Sequence, residues 1–159
     1  MLTRREFIVS LSTVATFAGV AQANAPIPPE DQSNHSVLML NADCNDANVL
    51  NVFEPAILRV APGDSVTFVP TDAGHNSASK RGMIPEGADP WNGAVDETLK
   101  VTLTVPGIYG YLCLPHYEMG MVGLIVVGDD LSNLAEAKKA RHPGDARKAF
   151  RTLLATLEA

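Results

Sequence analysis

The feature that most constrains the fold is the strict alternation of apolar and polar residues between Thr98 and Val105. In the stretch TLKVTLTV, leucines and valines occupy every second position, and threonines and Lys100 occupy the positions between them. Side chains alternate between the two faces of a β-strand, so this pattern predicts a strand with one buried and one solvated face. Pro106 and Gly107 follow directly and predict a turn.

Short segments of the same β-prone kind recur along the chain with no helical spacing between them. They lie at 36–41, 56–69, 108–113 and 121–128. The second of these contains two strands joined by a Pro62-Gly63-Asp64 turn. Several short strands separated by turns are typical of an antiparallel β-sandwich, so we expect residues 36–129 to form one all-β domain.

The C-terminal segment, residues 130–159, has a different character. Ser132 and Asp145 can each cap a helix, and a His-Pro-Gly break lies between them. The apolar residues of the second helix recur at helical spacing; they are Phe150, Leu153, Leu154 and Leu157. We therefore expect a two-helix hairpin that packs on the same domain.

The N-terminus, residues 1–23, is typical of an export signal. Arg4 and Arg5 precede an apolar stretch of 14 residues, which is short for a membrane span of about 20 residues. The arginine pair resembles a twin-arginine signal, with a general secretory signal as the alternative. We expect cleavage after Ala23, a periplasmic location with no membrane insertion of the mature chain, and a loose arm over residues 24–35.

Charge and cysteine content exclude several classes of protein. The chain carries 12 basic and 18 acidic side chains, a net charge of −6. Loss of the leader removes two arginines and one glutamate and leaves −7, whereas nucleic-acid-binding domains have a basic face. The two cysteines, Cys44 and Cys113, are too few for a disulfide scaffold, although they could pair with each other in an oxidising compartment.

Soft donor atoms are concentrated in the segment CLPHYEMGM. Cys113, His116 and Met121 have the spacing C-x2-H-x4-M between two predicted strands, and His75 follows a third strand. A thiolate, two imidazoles and a thioether are the ligands of a type 1 copper site, whereas zinc sites rarely contain methionine. The pattern favours one copper ion, and a Cys44–Cys113 disulfide or a zinc site remains as an alternative.

Longer stretches of the chain resemble the cupredoxin family and, within it, the pseudoazurins. These stretches are VFEPAILRVAPGDSVTFVPTDAGHN at 52–76, MIPEGA at 83–88 and VPGIYGYLCLPHYEMGMVGLIVVGD at 105–129. The resemblance extends over residues 37–158. It implies an eight-stranded Greek-key β-sandwich with a C-terminal two-helix extension and no enzymatic activity.

The resemblance also implies a ligand set of His75, Cys113, His116 and Met121. Amicyanins have a similar loop but use the spacing C-x2-H-x2-M, which would select Met119 instead. The two predicted C-terminal helices favour the pseudoazurin assignment, and with it Met121.

Residues beside the ligands have implied roles as well. The backbone N–H of Asn76 could reach the Cys113 sulfur and its side chain could join two loops, with an ordinary turn asparagine as the alternative. Pro115 removes one backbone donor near the sulfur. Cys44, in a hairpin about three residues longer than usual, has no expected role.

The resemblance further implies that the His116 ring is the electron port within an apolar docking patch. The candidates for this patch and its basic rim are Met83, Ile84, Pro85, Pro115, Met119, Lys80 and Arg81. The protein would then be a monomeric carrier that takes electrons from a respiratory cytochrome and passes them to copper nitrite reductase or nitrous oxide reductase. A copper-delivery protein and a metal-free, disulfide-bonded adhesion-like sandwich are the alternatives.

Overall fold

A computed structural model describes residues 33–158, so the expected leader and nearly all of the expected arm lie outside the described residues. The described part contains eight strands and two helices. The strands are β1 (Asn34–Ala42), β2 (Leu50–Glu54), β3 (Ile57–Val60), β4 (Ser65–Pro70), β5 (Ala78–Ser79), β6 (Leu99–Thr102), β7 (Gly107–Leu112) and β8 (Val122–Val127). The helices are α1 (Leu134–Ala137) and α2 (Ala146–Thr156).

The strands form two four-stranded sheets, with the orders β2-β1-β4-β6 and β3-β8-β7-β5. The predicted all-β sandwich with a C-terminal helical extension is confirmed. The expectation of a purely antiparallel arrangement is wrong, because β1 pairs with β4 and β3 pairs with β8 in parallel. The chain crosses from one sheet to the other between β2 and β3, so strands distant in sequence become neighbours with the same direction.

The alternating segment at 98–105 forms a shorter strand than its pattern predicts. Strand β6 ends at Thr102 at the edge of its sheet. Leu103 then exchanges backbone hydrogen bonds with the turn before β4, donating to the Asp64 carbonyl and accepting from Gly63 N–H. The apolar residue stays buried while the backbone leaves the ladder, so the burial pattern persists beyond the end of the strand.

Aromatic side chains fill the space between the sheets. The Tyr111 ring lies 4.8 Å from that of Phe53 and 5.0 Å from that of Phe68, both at steep interplanar angles. The Trp91 ring stacks on Phe68 at 5.8 Å. Edge-to-face contacts of this kind add to the free energy gained by burying the rings. The packed core provides a rigid base for the loops at the ends of the sandwich.

The two helices cover the outer face of the sheet that contains β7 and β8. Phe150 and Leu154 of α2 are buried in one cluster with Ile108, Leu124 and Val126 of these strands. No helix among residues 33–158 combines the length and the apolar character needed to cross a lipid bilayer.

Helix α1 is a single turn, and its N-cap is Asn133 rather than the predicted Ser132. The Asn133 side chain bonds to both backbone groups of Ile108 in β7, so its tertiary partner decides where the helix begins. Asp145 occupies the N-cap position of α2, as the sequence predicts, but its side chain makes no capping hydrogen bond.

Candidate metal centre

Three segments bring soft donor atoms to one end of the sandwich. Cys113 follows β7 directly, Met121 immediately precedes β8, and His75 lies in the loop after β4. The Cys113 N–H donates to the Met121 carbonyl at 3.1 Å, and the Met121 N–H donates to the His116 carbonyl at 3.2 Å. The loop between β7 and β8 is therefore closed at its base, which holds its side chains close together.

Cys113, His75 and His116 form a cluster whose donor atoms all lie within 4.8 Å of one another. The Cys113 Sγ is 3.8 Å from His75 Nδ1 and 3.5 Å from His116 Nδ1, and the two Nδ1 atoms are 3.1 Å apart. Cys113 and His75 are buried, whereas His116 is half-buried. A thiol and two ring nitrogens that converge in this way have the chemistry of a copper site, and they fit the ion that the sequence predicts.

The two methionines of the loop have different surroundings. Met121 is completely buried in the same core cluster as Cys113. Met119 is 61% exposed, and its Sδ accepts a weak hydrogen bond of 3.6 Å from Asn51 Nδ2 at the surface. Of the two methionines, only Met121 is therefore buried together with the thiol, and Met119 faces solvent.

Burial shifts the titration of both buried members of the cluster. It raises the pKa of the Cys113 thiol, although the backbone N–H groups of Asn76 and His116 donate to the sulfur and partly offset the rise. Burial also lowers the pKa of His75; the nearby His116 lowers it further, and Asp72 and Asp96 act in the opposite direction. Without a metal, both shifts favour the neutral forms near neutral pH, a protonated thiol and an uncharged imidazole. Metal binding must then displace the thiol proton.

Asn41 orients the His75 ring. Its Oδ1 lies 2.9 Å from His75 Nε2 and accepts the proton of that nitrogen, which leaves the lone pair of Nδ1 directed at Cys113. The Asn41 backbone N–H in turn donates to the carboxylate of Asp72. Sequence reasoning missed Asn41, because it lies 34 residues from His75 and no local spacing connects them.

Asn76 joins the His75 loop to two neighbouring loops. Its Oδ1 accepts a hydrogen bond of 2.8 Å from the Leu114 N–H, and its Nδ2 donates to the Gly93 carbonyl at 2.8 Å. The side chain is almost completely buried. Pro115, the other residue expected beside the sulfur, lies on the exposed part of the loop.

Both cysteines are free thiols; Cys44 is exposed and Cys113 is buried. The alternative of a Cys44–Cys113 disulfide, and with it the disulfide-bonded adhesion-like sandwich, is therefore wrong. Cys44 lies beside Glu54, whose side chain raises its pKa by accepting a hydrogen bond from the thiol.

The structure contradicts part of the predicted docking patch. Met83 is completely buried, and its side chain packs over Gly110, where an added Cβ would lie 2.8 Å from the Met83 Cε. Pro85 packs against Gly107, at the start of β7, about 17 Å along the strand from the metal-binding end. Ile84 lines the surface at that same distant end. A run of apolar residues fits a core as well as a surface patch, so the sequence could not separate these roles.

Other apolar side chains surround the metal-binding loop instead. Leu114 is 55% exposed beside Cys113, and Leu50 is 60% exposed on β2. Leu50 and Met119 line one groove together with residues of α2. Of the predicted basic rim, the Lys80 Nζ lies 5.9 Å from the centre of the Tyr117 ring, and Arg81 is exposed.

The chain resembles known copper proteins over most of its length. Residues 40–128 match the family described as copper binding proteins, plastocyanin/azurin family. The chain is 42% identical over 138 residues to a pseudoazurin of Paracoccus pantotrophus, a match that covers 87% of this chain and 93% of the relative. It is 40% identical over 141 residues to a pseudoazurin of Methylorubrum extorquens, covering 89% and 93% of the two chains.

Solved structures give the same result. The crystal structure of pseudoazurin from Methylobacterium extorquens AM1 superimposes with a TM-score of 0.73 at 42% identity, covering 79% of this chain and 99% of that chain. Pseudoazurin from Hyphomicrobium denitrificans gives a TM-score of 0.72 at 38% identity, covering 78% and 98%. These relatives are electron carriers and not enzymes. The chain therefore belongs to the pseudoazurins of the plastocyanin/azurin family and is a type 1 copper electron-transfer protein.

Proposed function

We propose that this protein is a periplasmic shuttle for single electrons, with one copper held by His75, Cys113, His116 and Met121. The observation that carries the proposal is the buried cluster of one thiol and two Nδ1 atoms within 4.8 Å, beside a fully buried methionine. Copper bound by such residues supplies a one-electron redox couple.

The surroundings of the donors favour rapid electron transfer. Asn41 fixes the His75 ring, and Asn76 ties the His75 loop to Leu114, next to the thiol. Donor atoms held by such hydrogen bonds need not move when the charge on the metal changes. Because four protein donors leave no open coordination position for a substrate, the arrangement suits a carrier rather than a catalyst.

His116 is the proposed electron port. It is the half-buried member of the cluster, whereas Cys113 and His75 have no accessible surface. Leu114 and Met119, which lie on the same loop, are exposed. A small apolar surface of this kind favours partners that bind weakly and leave quickly, as transient redox encounters require.

We further propose a respiratory cytochrome as the donor and copper nitrite reductase or nitrous oxide reductase as the acceptor. Membership of the pseudoazurins, the arginine-containing leader and the basic residues Lys80 and Arg81 support this assignment. The mature chain is acidic, so its association rate depends on the local field at the docking face rather than on net charge.

We expect the mature chain, residues 24–159, to be a monomer. The first experiment titrates this chain with Cu(II) and records visible and electron paramagnetic resonance spectra. We expect intense copper–thiolate absorption at one copper per chain, bleached by mild reductant and restored by oxidant. Cys113→Ser should abolish the colour, and the matched variant Cys44→Ser should retain it. Copper that binds without reversible redox activity would instead favour the copper-delivery alternative.

The second experiment measures electron transfer to purified copper nitrite reductase by stopped flow at several salt concentrations. Lys80→Gln should lower the second-order rate constant and weaken its salt dependence, because loss of a rim charge weakens electrostatic steering. Lys100→Gln, on the edge strand β6, is the matched control and should change neither. Equal effects of the two substitutions would exclude docking beside Lys80.

A further inference from the structure

Outside the metal cluster, a histidine of the C-terminal extension contacts the metal-binding loop. His142 lies between α1 and α2, and its Nδ1 is 2.8 Å from the hydroxyl of Tyr117. Tyr117 directly follows His116. The two residues of this pair are 25 positions apart, and neither has a role in the function proposed above.

We propose that His142 is a positioning residue that accepts a hydrogen bond from Tyr117 and thereby holds residues 116–121 against the C-terminal helices. The positioning of the loop is a property of the polypeptide itself. Any effect of this positioning on the reduction potential of a bound copper rests on the function proposed above.

Backbone contacts place the same loop directly against the start of α2. The Asp145 N–H donates to the Glu118 carbonyl at 2.9 Å. Gly144 has a φ of +47°, and a Cβ at this position would collide with the Glu118 carbonyl oxygen, so only glycine permits this approach. A Cβ on Gly120 would lie in ordinary contact with Asp145, at 3.5 Å. The Tyr117–His142 hydrogen bond is thus one of several contacts between the loop and the C-terminal extension, and it joins two side chains.

The surroundings of His142 favour a neutral ring. Its imidazole packs on Phe150 with a centroid distance of 4.4 Å. Burial lowers the pKa of His142, and the positive charges of Lys80 and Arg147 lower it further. His142 and Arg147 line a surface cavity whose other charged side chains are Lys138, Arg151 and Glu158, and Glu158 pairs with Lys138.

Tyr117 is suited to act as the donor. The phenolic hydroxyl of a tyrosine keeps its proton near neutral pH and can donate a hydrogen bond. A neutral imidazole has one acceptor nitrogen, whereas a protonated imidazole has none. Protonation of His142 would therefore remove the acceptor nitrogen and place a positive charge beside Lys80 and Arg147. Repulsion from these two side chains weakens the positioning contact as the pH falls.

Three single variants, one double variant and a control separate these effects. His142→Leu and Tyr117→Phe each remove the hydrogen bond, and the double variant should be no worse than either single one. His142→Asn keeps an acceptor oxygen near the position of Nδ1 but cannot titrate. The matched control is His35→Asn, which removes a histidine at the opposite end of the sandwich.

The first measurement is amide hydrogen exchange of residues 116–121 in the metal-free protein. His142→Leu and Tyr117→Phe should each accelerate exchange about fivefold, because the loss of one net hydrogen bond raises the equilibrium constant for local opening by about that factor. His142→Asn and His35→Asn should leave the exchange rates of these amides unchanged. Unchanged rates in Tyr117→Phe, or equal acceleration in His142→Asn and His142→Leu, would overturn the proposal even if the protein binds copper as expected.

The second measurement is the reduction potential of the copper-loaded protein against pH. The wild type should show a rise at low pH that is absent from His142→Asn and retained in His35→Asn, because a nearby cation disfavours Cu(II) more than Cu(I). Identical pH profiles for wild type and His142→Asn would overturn the link to the metal. Failure to bind copper would refute the proposed function while leaving the exchange test of the loop intact.

Discussion

Replacement of Asn76 by alanine should destabilise the metal-free protein strongly, although the side chain is small. Asn76 is 2% exposed and makes two hydrogen bonds of 2.8 Å, one to the Gly93 carbonyl and one from the Leu114 N–H. In Asn76→Ala both backbone groups lose their partner without regaining full contact with water. The free energy of unfolding should fall for this reason alone, before any effect on a metal.

The expected magnitude follows from the burial of the two bonds. The bond to Gly93 is fully buried, and the bond to Leu114 is partly buried. An unsatisfied buried group costs about 1–3 kcal/mol and a partly exposed one less, so we expect a total loss of about 3 kcal/mol. For a domain of this size, such a loss lowers the Tm by about 10 °C.

Urea denaturation of metal-free protein, monitored by tryptophan fluorescence, measures the change. The matched control is Asn48→Ala, which removes an amide that bonds only within an exposed hairpin, to Asp46, and should change stability by less than about 0.5 kcal/mol. A loss below about 1 kcal/mol for Asn76→Ala would refute the reasoning, because it would mean that the orphaned groups find new partners at little cost.

Other substitutions test other parts of the structure. Met121→Leu should retain bound copper but raise its reduction potential, because Cu(II) loses more than Cu(I) when a donor is removed; Met119→Leu should leave voltammograms and copper spectra nearly unchanged. The hydrogen bond with His35 is the chief cause that lowers the pKa of the Asp64 carboxyl. The ionised Asp64 therefore stabilises the folded protein above its unfolded pKa, and this stabilisation is lost as the pH falls through the folded pKa. Asp64→Asn should therefore flatten the acid limb of the urea midpoint from about pH 5 downward. Phe150→Ala should cost about 3–4 kcal/mol in chemical denaturation, because its ring is 1% exposed beneath the sheet; a cost below about 1 kcal/mol would show that the helical extension adds little stability.

Exposed apolar side chains and charged side chains both lie near the metal-binding loop. Leu50 and Met119 are exposed, and the Lys80 Nζ lies 5.9 Å from the centre of the Tyr117 ring. Asp72 and Asp96 lie close enough to His75 to influence its pKa. If the protein acts as the proposed shuttle, exposed apolar side chains with charges of both signs nearby would favour one orientation of a docking partner over others.

Local sequence patterns were sufficient for the fold class and for the chemistry of the donors. The alternation at 98–105 and the turn residues after it predict a β-sandwich, because the period of two follows from backbone geometry alone. The spacing of Cys113, His116 and Met121 indicates a soft metal site, because three donors on one short loop need little help from the rest of the chain.

Contacts between distant segments were decided only by the tertiary structure. Asn41 reaches His75 across 34 residues, and His142 reaches Tyr117 across 25, so no local period could indicate either pair. Met83 shows the same limit, because an apolar side chain near a metal loop in sequence fits a docking surface and a core equally well. The sequence by itself determined which residue types can form strands and which can bind copper. The packing of one sheet on the other determined which residues support the copper-binding side chains, because only the folded topology brings segments distant in sequence into contact.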